Sequence, residues 1–494
     1  MQGSERGSTI LAANGKVEEV MSAEFRGLNR KLLVSVYSAQ EAREAVLGGG
    51  RIIDSEDPKS ALGNISPRKI MDVSDAVLDF ERDLEVQLST NIGEDQLLFR
   101  RSETGQAIEK SPYEIAGKAA QAAIGVATSM GTRVHPVSLV KVGVDGMEVD
   151  KIAEVLTEVV STLRRTEHLS HCEVMSVLFA QDLDTWAKRK TLGPVRKTLV
   201  ELREFNPSSK DASDAFDIID FSVNTLRDLK TNEYLFTDSS QVSLQSLIGK
   251  GVLPEGTTST FIRVNELFEH RKYFPKIAAN TTKTNQSVIK AMVDVTADSG
   301  ANAIMIDTSI LTKVSNICLI DTFSHGNTAA KPKMVDINSV MSTDGIPLQG
   351  ILPLPDLKFF VDYCHYRGVS ANLAGSIESF QSQQLWVLIP ELDQVSTRSS
   401  ASAVAVDPSG ANAQGENTRQ RRIIKRTLVR GLAAPEHGGV LNLPSKLKGD
   451  AKAKPIIKDL IELVGAGRRG LGLPELRAFW VDEFGNPEPI SSEP

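Results

Sequence analysis

A short hydrophobic segment near the start of the chain runs directly into charged side chains that could carry out acid–base or covalent chemistry. In the stretch GRIIDSEDPKSALGN, residues 50–64, two isoleucines precede Asp54 and Glu56, and Lys59 follows a proline. A second lysine, Lys141, lies inside the apolar segment LVKVGV. A neutral lysine amine can attack a carbonyl, and a carboxyl group can transfer a proton. These residue types point to a reaction on a carbonyl compound if the fold brings them together.

Eight short apolar segments alternate with stretches of helical spacing, which predicts a parallel sheet covered by helices on both faces. The helical pattern is clearest in DKIAEVLTEVVSTLRR, where the apolar residues recur at intervals of three and four. Eight strand–helix units favour a (β/α)8 TIM-type barrel, with a doubly wound open sheet as the alternative. The apolar segments are residues 31–37, 51–56, 84–90, 138–144, 173–180, 302–307, 369–375 and 392–398.

Uneven spacing between these segments indicates insertions into the barrel. We predict an N-terminal tail at 1–28, the barrel at 29–430 and a C-terminal extension at 431–494. The long separation of the fifth and sixth segments predicts a large insertion at about 181–300. A polar stretch that contains Gly and Pro predicts a smaller one at about 312–350. We expect the larger insertion to form a lobe on the active face, because connections that follow a strand open there.

Bulk composition excludes several classes of protein. With 494 residues, of which 41% are hydrophobic, the chain can bury a substantial core. A net charge of −7 argues against a nucleic-acid-binding surface. The 3 cysteines are far apart, which is typical of a reducing cytosol rather than of a disulfide framework. No apolar run approaches the roughly 18 residues of a membrane span, and the N-terminus lacks signal-peptide features. We expect a cytoplasmic protein without nucleic-acid or membrane partners.

Polar residues at the carboxyl ends of the predicted strands are the candidates for catalysis, because these ends form the active face of such a barrel. We predict Asp54, Lys59, Lys141 and Asp307 as catalytic residues. Burial would lower the pKa of Lys141 and make it a nucleophilic amine; the alternative is a structural lysine paired with Asp54 or Asp307. Asp307 is either an acid–base group or a cap for the segment that follows it.

A glycine–serine pair after the seventh segment and an arginine–serine pair after the eighth occupy the usual position of a phosphate site in these barrels. The residues are Gly375, Ser376, Arg398 and Ser399. Backbone N–H groups together with a guanidinium suit an anion. No set of residues has the spacing of metal ligands, so we expect neither a metal nor a cofactor.

The strand ends resemble motifs of the (5-formylfuran-3-yl)methyl phosphate synthase family. In that family the second strand carries an IID-x-K-x-P-K pattern followed by LG, which is similar to IIDSEDPKSALG here. Further similar stretches occur in the same order and cover about 28–430 apart from the insertions. They are LVKVGVDG at 139–146, AIMIDTSI at 303–310, GVSANLAGSI at 368–377 and QVSTRSSA at 394–401.

This resemblance implies a cytosolic TIM barrel of furan cofactor (methanofuran-type) biosynthesis. The family condenses two glyceraldehyde-3-phosphate molecules through a lysine Schiff base. The residues that match the family are Asp54, Lys59, Lys141, Asp307, Gly375, Ser376 and Arg398. Three family lysines are absent: Glu56 stands at the Schiff-base position, Leu311 at a second, and Glu173 or Cys172 at a third. A carboxylate cannot form an imine, so the covalent step does not carry over unchanged.

Three functions remain open from the sequence. The first is a lyase or synthase of triose phosphates, with Lys141 or Lys59 as the amine. The second is a barrel that binds a phosphorylated metabolite but catalyses another reaction. The third is a non-catalytic partner subunit in one-carbon or cofactor metabolism. The large insertions favour a homo-oligomer or a protein partner, and the retained charged residues favour an enzyme.

Overall fold

Eight parallel strands close into a barrel in a computed structural model of the chain. The structure describes residues 30–57, 65–92, 99–101, 107–109, 112–117, 119, 137–144, 149–166, 169–180, 233–235, 261–263, 282–308, 317–322, 334–343, 346–404 and 422–490. The barrel strands are β1 Lys31–Val36, β2 Gly50–Ser55, β3 Gln87–Asn91, β4 Val137–Gly143, β5 Glu173–Phe179, β6 Ala303–Asp307, β7 Ser370–Leu373 and β8 Gln394–Thr397.

Each barrel strand pairs with the next along the chain, and β8 closes the ring on β1 with Lys31 opposite Gln394. Every one of the eight predicted segments overlaps one of these strands. The predicted (β/α)8 barrel is therefore confirmed, and the open-sheet alternative is wrong. Continuous apolar segments were informative here because strands of a barrel wrapped by helices are buried on both faces.

Helices connect the strands and cover the outside of the barrel. Those with complete bounds are α1 Ala39–Gly48, α2 Pro67–Leu84, α3 Val149–Arg165, α4 Thr282–Asp298, α5 Leu354–Arg367, α6 Ser379–Leu388, α7 Arg426–Leu432 and α8 Ala453–Gly470. Local sequence sets the ends of α1. The Ser38 hydroxyl accepts the Glu41 N–H at 3.3 Å, and Gly49 ends the helix at a φ of 107°.

Side chains inside the barrel change from apolar to polar along the strand direction. Ile52 belongs to a cluster of buried apolar residues in the lumen, and the remaining members are Leu33, Leu139, Met175, Val177, Phe179, Ala303, Met305 and Ala374. Alternate residues of a strand face the same side. Ser35, Asp54 and Lys141 therefore follow Leu33, Ile52 and Leu139 on the lumen face, nearer the carboxyl ends. Apolar packing fills one end of the lumen and leaves polar groups at the other.

The predicted smaller insertion contributes a second, short sheet beside the barrel. Strands Ile317–Asp321 and Gln349–Pro353 pair in parallel, and α5 begins directly after them. The Leu319 N–H donates to the Gly375 carbonyl at 3.0 Å, so this sheet is anchored at the carboxyl end of β7. The other short strands are Phe99–Arg101, Ala107–Glu109, Glu233–Leu235, Phe261–Arg263, Ser342–Thr343, Ile346–Pro347, Ser402–Val404 and Arg422–Ile424.

Most of the larger predicted insertion lies outside the described residues, and so does the lobe that we expect it to form. Its last part is α4, which packs against α3 and α5 as the barrel helix that precedes β6. The predicted N-terminal tail at 1–28 also lies outside the described residues. None of the helices described is long and apolar enough to cross a membrane.

The C-terminal extension packs against one side of the barrel. Its strands, β9 Val440–Pro444, β10 Arg477–Val481 and β11 Pro487–Pro489, form a three-stranded sheet. Helix α8 and β9 contact α6, and their apolar side chains share a buried cluster with Phe380 of α6. The extension and the barrel are thus joined through a common apolar interface.

This cover explains why a helix as polar as α6, SFQSQQLWVL, is buried. Gln381, Ser382, Gln383 and Gln384 are fully buried. Gln383 Nε2 donates to the carbonyls of Gly431 at 3.0 Å and Ala433 at 3.1 Å, and Ser382 Oγ donates to that of Leu432 at 2.9 Å. These carbonyls lie at the end of α7, where a helix leaves acceptors without internal partners. The buried polar side chains of α6 thereby donate hydrogen bonds to the carbonyls at the end of α7 that have no donor within their own helix.

We predict that Leu460→Ala, in α8, destabilises the protein by about 2–5 kcal/mol. Leu460 is fully buried in the apolar cluster between α8 and α6, and its truncation leaves a cavity. Urea unfolding measures the change. Glu462→Ala, on the exposed side of the same helix, should change the stability by less than about 0.5 kcal/mol. Equal stability of wild type and Leu460→Ala would mean that the extension does not support the barrel.

Candidate active site

A buried lysine paired with two carboxyl groups forms the centre of the polar end of the lumen. Lys141 Nζ lies 2.7 Å from Asp54 Oδ2 and 3.0 Å from Glu56 Oε2. The three residues are 2%, 0% and 5% exposed, so solvent does not screen the interaction. An unpaired charge at such a position would be strongly destabilising. The lysine and the carboxyl groups therefore depend on each other for burial.

Two serines complete this group, which we call the Lys141 centre: Ser35, Asp54, Glu56, Ser89 and Lys141. Ser35 Oγ lies 3.1 Å from both Asp54 Oδ2 and Glu56 Oε2, and Ser89 Oγ donates to Asp54 Oδ1 at 2.7 Å. Strand register brings the residues together, since Asp54 of β2 stands opposite Ser35 of β1 and Ser89 of β3. Glu56 continues this pairing beyond the end of β2, because its N–H donates to the Val36 carbonyl.

The charges of the centre set its protonation. Burial alone would lower the pKa of the Lys141 ammonium, but the charges of Asp54 and Glu56 outweigh burial and raise it. Burial alone would raise the pKa of Asp54, but the charge of Lys141 and hydrogen bonds lower it. Burial and the neighbouring Asp54 charge raise the pKa of Glu56 to about 8, against the attraction of Lys141. At neutral pH the centre holds an ammonium, a carboxylate and a carboxylic acid.

Hydrogen-bond geometry agrees with one proton on the carboxyl pair. The Ser35 hydroxyl has a single hydrogen, yet its oxygen lies within hydrogen-bond distance of both Asp54 and Glu56. If both carboxyls were ionised, only one of these contacts could be a hydrogen bond. A protonated Glu56 can donate where a carboxylate could only accept. The centre can thus polarise a carbonyl through Lys141 and transfer a proton through Glu56.

Asp307 and Lys59 are the other two predicted catalytic residues. Asp307 ends β6 and is buried; its Oδ1 accepts the N–H of Thr308 at 2.6 Å, as expected of a cap. Lys59 lies outside the described residues. Lys141 has the paired geometry of the structural alternative, and its partners are Asp54 and Glu56.

The predicted phosphate residues lie at the carboxyl ends of β7 and β8, which are neighbours in the barrel. Gly375 and Ser376 have φ angles of 104° and 55°, so two consecutive residues adopt the left-handed conformation. Only glycine fits at 375, because a Cβ there would lie 2.7 Å from Thr308 Oγ1. Successive N–H groups in such a turn can form an anion-binding concavity.

Arg398 and Ser399 follow β8, but the arginine bonds toward β1. Arg398 Nη1 donates to the Ser35 carbonyl at 2.8 Å and lies 3.4 Å from Glu41 Oε2. Ser399 is exposed and begins a single 3-10 turn, Ser399–Ala401. Its carbonyl accepts the hydroxyl of Ser402 at 2.9 Å. The residues share one end of the barrel, and Arg398 has protein partners in the absence of a ligand.

The catalytic and phosphate-binding residues predicted from the sequence do not include Glu56, Ser35, Ser89 or Glu41, although Glu56 is recognisable as a charged residue at the end of the second strand. Ser35 is the one polar residue of its strand, KLLVSV, apart from the first, and it lies two positions after Leu33. An alternation argument with a register could have found it. Glu56 follows Asp54 by two positions and thus shares its face, which was the available signal for its role. The Glu41 contact depends on tertiary distances that no spacing in the sequence encodes.

No group of three or more His, Cys, Asp or Glu residues that could hold a metal ion occurs within the part of the chain that the structure describes. The cysteines of this part, Cys172, Cys318 and Cys364, are buried and unbridged. The Lys141 centre itself offers an ammonium and two carboxyl groups for chemistry.

A family model described as 4-HFC-P synthase matches residues 32–192. The match spans β1 to β5, includes all members of the Lys141 centre, and supports the family that the strand motifs indicate. It supports a synthase or lyase role for the chain. The match ends before β6, so the proposed phosphate residues lie outside it. No curated protein matches the chain.

Solved structures that are similar to the chain are remote in sequence, and their TM-scores are low. Thiamine phosphate pyrophosphorylase from Pyrococcus furiosus is 9% identical with a TM-score of 0.29, over 88% of this chain and 98% of that chain. N-(5'-phosphoribosyl)anthranilate isomerase from Pyrococcus furiosus is 7% identical with a TM-score of 0.31, over 82% and 96%. Deoxyribose phosphate aldolase from Aeropyrum pernix is 10% identical with a TM-score of 0.29, over 76% and 87%. The fold assignment rests on the closed barrel itself.

We predict that Glu56→Gln removes a pH dependence of stability between pH 4.5 and 8. The pKa of Glu56 is raised from 4.5 to about 8 in the folded state, so within this window the native protein binds more protons than the unfolded chain. The free energy of unfolding contributed by Glu56 therefore falls as the pH rises, and is constant above about 8. Urea unfolding across the window compares the variant with wild type.

Glu462→Gln, which replaces an exposed carboxyl group, should leave the wild-type profile unchanged. Parallel profiles for wild type and Glu56→Gln would mean that Glu56 is ionised in the native protein, and its assignment as the acid of the centre would be wrong.

Proposed function

We propose that this protein, whose residues 32–192 match the 4-HFC-P synthase family, is a synthase or lyase that acts on triose phosphates such as glyceraldehyde 3-phosphate. The reaction is the condensation of two of these molecules to a furan phosphate, with loss of one inorganic phosphate and of water, in furan cofactor biosynthesis. The observation that carries the proposal is the Lys141 centre, a buried ammonium with an acidic proton beside it at the carboxyl end of the barrel.

The centre has the groups that such a condensation needs. Forming a carbon–carbon bond between two triose phosphates requires removal of a proton beside a carbonyl, and the charge then develops on the carbonyl oxygen. The Lys141 ammonium stabilises that oxygen through a hydrogen bond in a water-poor site. Glu56, whose pKa of about 8 leaves a fraction of it ionised near neutral pH, takes up that proton as a carboxylate and, once protonated, donates it to the oxygen of the departing water or phosphate. Asp54 keeps Lys141 charged and in place.

The covalent step of the family is the part that this centre supports least. An imine forms from a neutral amine, and two carboxyl groups hold Lys141 as an ammonium. Glu56 stands where the family has its Schiff-base lysine. Carbonyl polarisation by a charged Lys141 is therefore the working mechanism. Lys59 is the remaining candidate amine of the sequence.

The second candidate function is a barrel that binds a triose phosphate and catalyses a different reaction. The observation that favours it is again Glu56, which replaces the family amine and bonds directly to Lys141. Proton transfer without an imine is sufficient for an isomerisation or an elimination. The condensation of the family needs several steps and therefore asks more of the same groups. The non-catalytic partner role shares this observation, because loss of the family lysine also favours a barrel without the family chemistry, while the paired charges at the lumen end favour an enzyme.

The phosphate group of the substrate binds at the loops after β7 and β8. Gly375 and Ser376 supply the backbone turn, while Arg398 and Ser399 supply a guanidinium and a hydroxyl. A triose phosphate held there extends its carbonyl end toward the Lys141 centre, since both groups of residues lie at the carboxyl ends of the strands. The substrate is accordingly a short phosphorylated carbonyl compound.

We predict that wild type converts glyceraldehyde 3-phosphate to a furan phosphate without a borohydride-trapped adduct. Lys141 is an ammonium and therefore does not form an imine. Mass spectrometry of the products tests the reaction, and intact mass of the borohydride-treated protein tests the adduct. Lys141→Ala should lose the product. Glu56→Lys should gain an adduct, because a second cation in place of an acid lowers the lysine pKa values.

Lys358→Ala removes an exposed lysine and serves as the control for non-specific labelling. An adduct on wild type that disappears in Lys141→Ala would contradict the non-covalent mechanism and restore the family mechanism. Binding without any furan phosphate would favour the barrel with a changed reaction.

We predict that Arg398→Ala weakens binding of glyceraldehyde 3-phosphate at least about tenfold. A hydrogen bond to a charged group contributes about 1.5–3 kcal/mol, and a phosphate would lose one partner of opposite charge. Isothermal titration calorimetry measures the affinity. Arg430→Ala, which removes an exposed arginine of α7, controls for the change in net charge. Equal affinities for wild type and Arg398→Ala would place the phosphate elsewhere.

A further inference from the structure

Lys141, which is buried, and Arg398, which is partly buried, already have anionic partners at the active end of the barrel. Lys141 is paired with Asp54, and Arg398 Nη1 lies 3.4 Å from Glu41 Oε2. A phosphate monoester carries about −1.5 to −2 charges at neutral pH. Such a substrate therefore meets no excess of positive charge among these residues, although the proposed function requires it to bind there.

Glu41 is held firmly beside Arg398. It is 3% exposed and lies in the first turn of α1, and its Oε2 accepts the Tyr37 N–H at 2.6 Å. That bond, together with the Ser38 cap, explains a carboxylate at the start of the helix. These contacts leave the second carboxylate oxygen of Glu41 uncompensated, because Oε1 is buried and has no hydrogen-bond partner among the described residues.

Arg398 does not need Glu41 to keep its position. The guanidinium donates to the uncharged Ser35 carbonyl at 2.8 Å, a normal hydrogen-bond length, whereas its separation from Glu41 is 3.4 Å. The contribution of Glu41 is therefore mainly its charge. A phosphate that binds Arg398 must come close to a fixed, buried carboxylate, and like charges brought together in this way oppose binding.

We propose that Glu41 is a built-in competitor that weakens the binding of phosphorylated substrates to Arg398. The proposal rests on the proposed phosphate site and adds a residue that tunes its affinity. Arg398 is the cationic partner of the buried Glu41 carboxylate, so the two charges compensate each other. When phosphate binds, the guanidinium is shared between two anions. This lowers the affinity for substrate and favours release of a phosphorylated product.

The test measures binding of inorganic phosphate and of glyceraldehyde 3-phosphate by isothermal titration calorimetry. The full-length proteins compared are wild type, Glu41→Gln, Arg398→Ala, the variant that combines both substitutions, and a control variant. Glu41→Gln removes the charge but keeps an oxygen that accepts the Tyr37 N–H. We expect it to bind both ligands about five- to tenfold more tightly than wild type. In the Arg398→Ala background, Glu41→Gln should have no such effect, because the competition acts through Arg398.

Glu44→Gln is the matched control. Glu44 lies on the same helix and pairs with Arg426 at 3.0 Å instead of with Arg398. The Glu44→Gln substitution also removes one negative charge, but that charge does not pair with Arg398. We therefore expect its phosphate affinity to stay within about twofold of wild type. A gain in affinity cannot arise from a damaged fold, and thermal unfolding of each variant checks that the barrel is intact.

The outcomes separate the two proposals. Binding to wild type that requires Arg398 but is equal or weaker in Glu41→Gln would overturn the competition and make Glu41 a positioning residue for Arg398. An equal gain in Glu44→Gln would also overturn it, since net charge alone would then account for the change. Absence of phosphate binding to wild type and Glu41→Gln alike would remove the phosphate site and the proposed substrate class with it.

Discussion

A buried lysine in the lumen of the barrel can exist only with its charge compensated, and the surrounding structure follows from that constraint. Lys141 is 2% exposed and its ammonium contacts Asp54 and Glu56. Those carboxyls are in turn held by serines from the neighbouring strands. Moving any one strand by a single residue would turn its lumen side chains outward and leave the charge without a partner. The ionisation of the Lys141 centre therefore depends on the strand register that closes the barrel.

Much of the fold could be predicted because its cause is local. Each barrel strand is a short apolar run, and helices of regular period separate the runs, so strand number and order were evident without a structure. The lumen was also accessible in part, since alternation places Asp54 above Ile52 and Lys141 above Leu139. The helix that precedes β6 was not separated from the larger insertion, because an amphipathic stretch alone does not reveal what it packs against.

The chemistry of the site was less predictable, because it depends on distances and not on residue types. Burial lowers the pKa of a lysine and nearby carboxylates raise it, and which effect prevails depends on contacts of about 3 Å. Arg398 presents the same difficulty. Its position after β8 suggested a free guanidinium, yet the start of α1 places Glu41 beside it. The C-terminal extension likewise gave no sign in the sequence that it would bury a helix with four consecutive polar residues.

The residue at position 56 decides which form of Lys141 the barrel contains. A lysine there, as in the resembling family, would put two like charges together and lower both pKa values, so that one neutral amine becomes available for an imine. Glutamate has the opposite effect, because it stabilises the ammonium and itself takes up a proton. The same barrel can therefore present either a nucleophilic amine or a cationic hydrogen-bond donor at position 141. Since Asp54 can pair with the one lysine that remains charged in either case, this substitution can change the chemistry while the barrel keeps its buried charge compensated.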